Sequence, residues 1–400
     1  MKIRLLNTSI LLLLFIASSL GFAGASGPLF NISSFGAPAN VSITPCLNAK
    51  GPLSCQTYTV SALNFRISTT IPNHLYSLAG IKINTPGYTL VTTCTSTVNG
   101  YCMFAVSDTT SKVFSLSTGA QHYAYVTNSS NNTVSWCSIG ASGALSNCDS
   151  TNGGGIFNSP SSIALDLGSA RAYITNFSGD TVSRCNINTQ TGALEGCQNN
   201  AGFSGPRAIA LNSAKTFAYV TNVNNLVLKC TINSGTGLFD ACVDSNGTGY
   251  NGSSGIAINS AGTVAYVTDG GGTSVFYCPV DALGNLGACL STGSDFSNPA
   301  RVTVNTEGNF AYITNSNTSN ITLCSINKST GELYDCKITA STLFAVFGNM
   351  AVNEAGTIAY VPNSNADLLS VCSVDGNGTL SGCVDSGGTT FSGPQGVAVG

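Results

Sequence analysis

From residue 119 onward, short apolar runs alternate with stretches of Asn, Ser, Gly and Asp, and the pattern recurs in phase. One run opens on an Ala-Tyr pair that appears six times, with the tyrosines at Tyr125, Tyr173, Tyr219, Tyr266, Tyr312 and Tyr360, in steps of 48, 46, 47, 46 and 48 residues. A second run follows an Asn-rich turn and ends in a cysteine, as in Thr133-Val134-Ser135-Trp136-Cys137. A third holds another cysteine, five residues after a glycine in every copy: Gly143, Gly192, Gly237, Gly284, Gly331 and Gly378. That glycine predicts a hairpin turn. The fourth run, Ile163 to Leu167 and its equivalents, alternates bulky and small residues, with Ile163-Ala164-Leu165 and Ile256-Ala257-Ile258 as examples. Period two predicts a strand with one bulky and one tight face.

Four short strands in each repeat of 46 to 48 residues predict an all-β chain built as a β-propeller. The repeat region starts at a second strand near Tyr123 and ends at an innermost one, Gly396 to Gly400. The last strand therefore completes the first blade, and six blades result. A seventh blade using Val113 to Ser117 is the alternative, but it lacks a cysteine-bearing hairpin. The tetrapeptides Tyr125 to Asn128 and Tyr219 to Asn222 resemble the repeat of the YVTN β-propeller family. Ile174 and Ile313 replace its Val, Asp269 its Asn and Pro362 its Thr. The resemblance spans about residues 119 to 400 and implies a closed propeller of an exported or cell-surface protein. Related propellers include lactonases and surface-layer components, so it does not choose between enzyme and binder.

Three domains are expected. Residues 1–25 carry Lys2 and Arg4, the apolar run Ile10 to Ala17 and small residues at Ala23 to Ala25, the layout of a secretory signal peptide. Residues 26–118 read as a small disulfide-containing β-sandwich, and 119–400 as the propeller. The sixteen cysteines fall into close pairs: Cys46 with Cys55, Cys94 with Cys102, Cys137 with Cys148, Cys185 with Cys197, Cys230 with Cys242, Cys278 with Cys289, Cys324 with Cys336 and Cys372 with Cys383. In an exported chain such pairs predict disulfides, and their wide spacing is not that of a zinc knuckle. The protein is expected in the periplasm, at the cell surface or outside the cell, with no membrane span.

Charge narrows the chemistry. Only 8% of residues are charged, with 14 Lys plus Arg against 17 Asp plus Glu, so the basic surplus that nucleic acid demands is missing. The two histidines, His74 and His122, stand outside the repeats and beside no nucleophile motif. No catalytic residue, cofactor or metal site is therefore assigned. The turns after the tetrapeptides begin at Asn128, Asn176, Asn222, Asp269, Asn315 and Asn363. These side chains either cap turns or form a ring of oxygens for a sugar or a hard cation such as calcium. Preceding the innermost strands, Phe157, Phe203, Phe296 and Phe391 stand three residues before a proline, with Tyr250 and Phe344 in matching places. They read as wedges between blades or as exposed rings that stack on sugars. Arg207 and Arg301 lie in the same region. The leading expectation is a non-enzymatic binding or adhesion module for a carbohydrate or protein. The alternatives are a lactonase-like or lyase-like enzyme and a structural component of the cell envelope. Oligomeric state is not legible in the sequence.

Overall fold

A computed structural model of the chain describes residues 122–400, apart from 141, 251, 294–295 and 341–347, together with the backbone of ten strands between Leu29 and Thr118. Two compact units are present, Met1–Gln121 and His122–Gly400. In the first, Leu29–Ser34 lies between Asn64–Ser68, which it pairs antiparallel, and Lys112–Thr118, which it pairs parallel. A second sheet centres on Val41–Asn48 and Leu78–Ile83, and its register sets Cys46 opposite Cys55. Cys102 lies on the strand Tyr101–Ala105, and the register there sets it opposite Ile81 on one side and Thr97 on the other. Its expected partner, Cys94, lies outside the described residues, as do the expected signal peptide and the side chains of Cys46, Cys55 and Cys102.

The second unit consists of six four-stranded antiparallel sheets, the blades of a β-propeller. Blades 2 to 5 start at innermost strands Pro160–Asp166, Ala208–Leu211, Ser253–Ile258 and Pro299–Val304, and blade 6 at the short strand Ala351–Val352. In blade 1 the innermost strand is Pro394–Val399, which pairs with Tyr123–Asn128 and closes the ring. The repeat arithmetic thus predicted both the blade number and the way the ring closes. Six disulfides join Cys137–Cys148, Cys185–Cys197, Cys230–Cys242, Cys278–Cys289, Cys324–Cys336 and Cys372–Cys383, each within one blade and between its two outer strands, save that Cys289 immediately precedes the outermost strand Leu290–Ser291. Such bonds form and persist in an oxidising compartment.

The Ala-Tyr pair has a physical reason in each of its positions. Each alanine stands across from the first cysteine of its blade, as in Ala124↔Cys137 and Ala311↔Cys324, and all six are fully buried. A larger side chain there would collide with the disulfide. The tyrosines are buried between blades and reach the next one. Tyr173 donates its hydroxyl to the carbonyl of Gly237 at 2.9 Å, Tyr219 to Gly284 at 2.8 Å, Tyr312 to Gly378 at 2.9 Å and Tyr360 to Gly143 at 2.9 Å. The acceptors are the hairpin glycines, whose φ values of +73° to +83° put them in the left-handed region that favours glycine. The last bond crosses the closing seam from blade 6 to blade 1. Tyr266 differs: its buried hydroxyl has no hydrogen-bond partner. Tyr173→Phe should therefore lower unfolding free energy by about 1 kcal/mol, whereas Tyr266→Phe should leave it unchanged or raise it. Denaturant titration of both variants checks this, and equal losses would contradict the latch.

Near the propeller axis, small polar groups tie neighbouring blades together. Ser161 donates to the Arg207 carbonyl at 3.0 Å, Thr221 to Ser254 at 3.0 Å, Thr268 to Ala300 at 3.1 Å and Thr303 to Met350 at 2.7 Å. Asn349 completes the series with its backbone N–H on the Gln395 carbonyl at 2.8 Å. Close approach requires missing side chains here. A Cβ on Gly255 would stand 2.7 Å from the Cα of Arg301. Apolar clusters fill the wedges between these polar ties, each drawing on adjacent blades; Tyr125 and Val134 of blade 1, for example, pack with Ile163 and Ile174 of blade 2.

Candidate functional site

The loops that enter the innermost strands and the turns after the tetrapeptides meet at one end of the propeller. Asparagine makes the connection. Asn176 donates its amide to Thr181 and Ser183 within its own turn, at 3.0 and 2.8 Å, and accepts the backbone N–H of Asn158 at 3.3 Å. Asn128 does the same with Thr133, Ser135 and Ser392, and Asn315 with Asn320, Thr322 and Ser297. Asn222 accepts from Ser204 at 3.1 Å. These four side chains are at most 1% exposed, and Asn363 is buried as well. Turn capping accounts for their geometry, with hydrogen bonds already directed inward. Asp269, the acidic member, is half-buried, and burial raises its carboxyl above the ordinary range.

The aromatic series also faces inward. Phe157, Phe203 and Phe296 are 4 to 8% exposed and belong to the apolar clusters between blades. Phe391 and Tyr250 pack less deeply against two further clusters. Phe344 lies outside the described residues. Of the acids in these loops, Asp149, Asp244 and Asp385 accept backbone N–H groups within three residues of themselves. Asp180 and Asp367 instead accept from Gly205 and Gly393 at 2.7 and 2.6 Å, joining turn to loop. Among the described residues, no group of three or more His, Cys, Asp or Glu is arranged to hold a metal ion.

What remains at this end is the part that breaks the repeat. The position after each tetrapeptide is Ser129, Phe177, Val223, Gly270, Ser316 and Ser364 in turn, and the two apolar members are exposed, Phe177 at 39% and Val223 at 41%. They converge on Gly205, where a Cβ would meet Val223 at 2.7 Å and Phe177 at 3.4 Å. Beside them Arg207 sets its guanidinium 5.6 Å from the centre of the Phe177 ring, a cation–π arrangement. Sequence reading singled out Arg207 but passed over Phe177. The signal that could have found it was the loss of symmetry: positions that serve the scaffold recur in every blade, and these do not.

Arg301 lies behind this patch. It occupies the position opposite the tetrapeptide threonine, where Ser162, Ala208 and Gly396 stand in other blades. Its guanidinium is buried and donates to the Ala300 carbonyl at 2.9 Å, to the Ser254 hydroxyl at 3.1 Å and to the Arg207 carbonyl at 3.3 Å. The Nε atom has no partner. Burial, and then the charge of Arg207, pulls the Arg301 pKa down to about 10. The side chain thus carries a positive charge into the blade packing, held by neutral oxygens and by no described carboxylate.

Comparison with known proteins agrees on the fold. A family described as "Lactonase, 7-bladed beta-propeller" matches residues 199–346, although this ring has six blades. No curated protein matches the sequence. A functionally unknown protein from Desulfotomaculum acetoxidans superimposes with a TM-score of 0.50 at 15% identity, over 69% of this chain and 98% of that one. A chain of the nidogen/laminin complex gives 0.54 at 11% identity, over 70% of this chain and 98% of that one. Both are far apart in sequence and share architecture alone. The second unit is a six-bladed β-propeller, stapled by one disulfide in each blade.

Proposed function

We propose that the chain is an exported propeller of the YVTN type, released behind a signal peptide ending at residue 25, and that it acts as a non-enzymatic binding or adhesion module for a carbohydrate or protein partner. The observation that carries this reading is the patch of Phe177, Val223 and Arg207. It places half-exposed apolar surface and a cation together, at two consecutive blades out of six, where the repeat otherwise supplies Ser or Gly. Function belongs to sites grafted on a fold rather than to the fold itself. Exposed aromatic and Arg side chains are also the residue types that dominate binding energetics. Screening the protein against arrayed glycans tests the reading. We expect retention on a defined subset and at least a tenfold loss in the double variant Phe177→Ala/Val223→Ser, with the thermal midpoint unchanged. Retention by the double variant at full strength counts against this patch.

A second reading draws on the lactonase family match and on Asp269, whose raised carboxyl would suit acid–base work. Hydrolysis of simple aldonolactones by the purified protein, abolished in Asp269→Asn, would replace the binding-only account.

A further inference from the structure

We infer that the patch between blades 2 and 3 binds a carboxylate-bearing sugar, with Arg207 reading the carboxylate, Phe177 and Val223 packing on the C–H face of the ring, and Arg301 supplying fixed positive charge from behind. The inference rests on the binding reading above and narrows it to a ligand class.

Charge comes first. A buried ion is expensive unless it is paired or well hydrogen-bonded, and Arg301 is hydrogen-bonded but unneutralised: its partners are the oxygens of Ala300, Ser254 and Arg207, and its Nε is empty-handed. Those bonds run to blades 3 and 4, which fixes the guanidinium rather than leaving it free to swing into water. The charge that acts on it is another cation, Arg207, whose own backbone carbonyl is one of the acceptors. Two guanidinium groups share one end of the propeller, and among the described residues neither is hydrogen-bonded to a carboxylate; the nearby Asp180 accepts the Gly205 N–H instead. An anion arriving at Arg207 relieves that repulsion, and low-dielectric surroundings strengthen the attraction.

Shape and polarity select the anion. Arginine presents a planar fork that matches a carboxylate bidentately. The half-exposed Phe177 ring and Val223 call for an apolar face rather than a bare ion. Around them the exposed groups include the hydroxyls and amides of Ser178, Asn158 and Ser204, which suit ligand hydroxyls, and the Asp180 carboxylate, one oxygen of which accepts the Gly205 N–H. A uronic acid combines a carboxylate, a C–H face and several hydroxyls in one ring.

Calorimetric titration of the protein with D-glucuronate, D-glucose, acetate and sulfate tests this. We expect binding of glucuronate, at least tenfold weaker binding of glucose, and still weaker binding of acetate and sulfate. Arg207→Gln, at a partly exposed position, should reduce glucuronate affinity at least tenfold and leave glucose unchanged. Arg301→Met should reduce glucuronate affinity severalfold while leaving glucose affinity unchanged, a split that mere loss of packing would not produce. Equal binding of glucuronate and glucose, insensitive to Arg207→Gln, overturns the carboxylate while the broader binding reading survives. Acetate or sulfate binding as tightly as glucuronate overturns the sugar. Absence of binding to every titrant overturns this inference; the glycan array, which samples neutral and acidic chains alike, then decides the broader reading separately.

Discussion

Reducing the six propeller disulfides should lower the thermal midpoint by on the order of 20–30 °C. Each bond closes a short loop of 11 or 12 residues within one blade. In the chain-entropy description such a loop contributes about 3 kcal/mol. Together these contributions are comparable with or larger than the whole stability of a typical domain, about 5–15 kcal/mol. Beside the disulfide, the outermost strands are anchored mainly at one end, by buried leucines such as Leu145, Leu194, Leu333 and Leu380. Val243, Leu290, Ile338 and Val384, close behind the second cysteines, are 52 to 61% exposed. Calorimetry with and without a thiol reductant, at matched pH and with cysteines alkylated after reduction, provides the measurement. A shift of only a few degrees would mean that blade packing alone stabilises the ring.

Removing residues 394–400 should abolish the cooperative unfolding transition. Pro394–Val399 is the innermost strand of blade 1, and its pairing with Tyr123–Asn128 places Val397 opposite Val126, both essentially inaccessible to solvent. Gly396 also bridges to Asn349 of blade 6 and lies against Ser161 and Ser162 of blade 2. One short strand therefore touches three blades. Its loss would bare a sheet edge and the apolar seam beneath it, a combination that promotes edge-to-edge association. Size-exclusion chromatography and near-ultraviolet circular dichroism of the truncated protein should report aggregates without fixed aromatic environments. A monomer with the parent midpoint would show that the seam is dispensable.

Much of this architecture was legible because a repeat converts local spacing into global geometry. The hairpin glycines, the propeller cysteine pairs and the closing strand each followed from position within a period, and the alternation of Ile163, Ala164 and Leu165 announced a strand before its neighbours were known. Outside the repeat that constraint is missing, and the pairing of Cys94 with Cys102 rests on closeness in sequence alone. Other features were hidden for physical reasons. The tyrosine latch joins residues 64 to 66 apart within the chain, or 217 at the seam, and no local pattern marks a bond to the next blade. For Asn176 and Phe157 residue type left turn capping and wedging open beside ligand contact, because it says nothing of direction; their surroundings turn both inward. Arg301 gave no sign of burial, since arginine is rarely buried without a partner. The length of one innermost strand also misled: the run expected through Leu167 ends at Asp166, and Leu167 begins a 3₁₀ turn capped by the Asp166 carboxylate.

The closing strand also dictates an order of events. Thr127 and Gly396, bonded across the seam, are 269 residues apart in the chain, whereas each disulfide spans 11 or 12. A chain delivered amino terminus first can therefore oxidise the outer hairpin of each blade as it emerges, but blade 1, the earliest to appear, stays one strand short until the final residues arrive. During that interval the apolar edge beginning at Tyr123 is open to any strand that reaches it. The covalent staples confine each outer hairpin to its proper register while the ring waits, and loop closure over the whole propeller is deferred to a last step that joins preformed pieces.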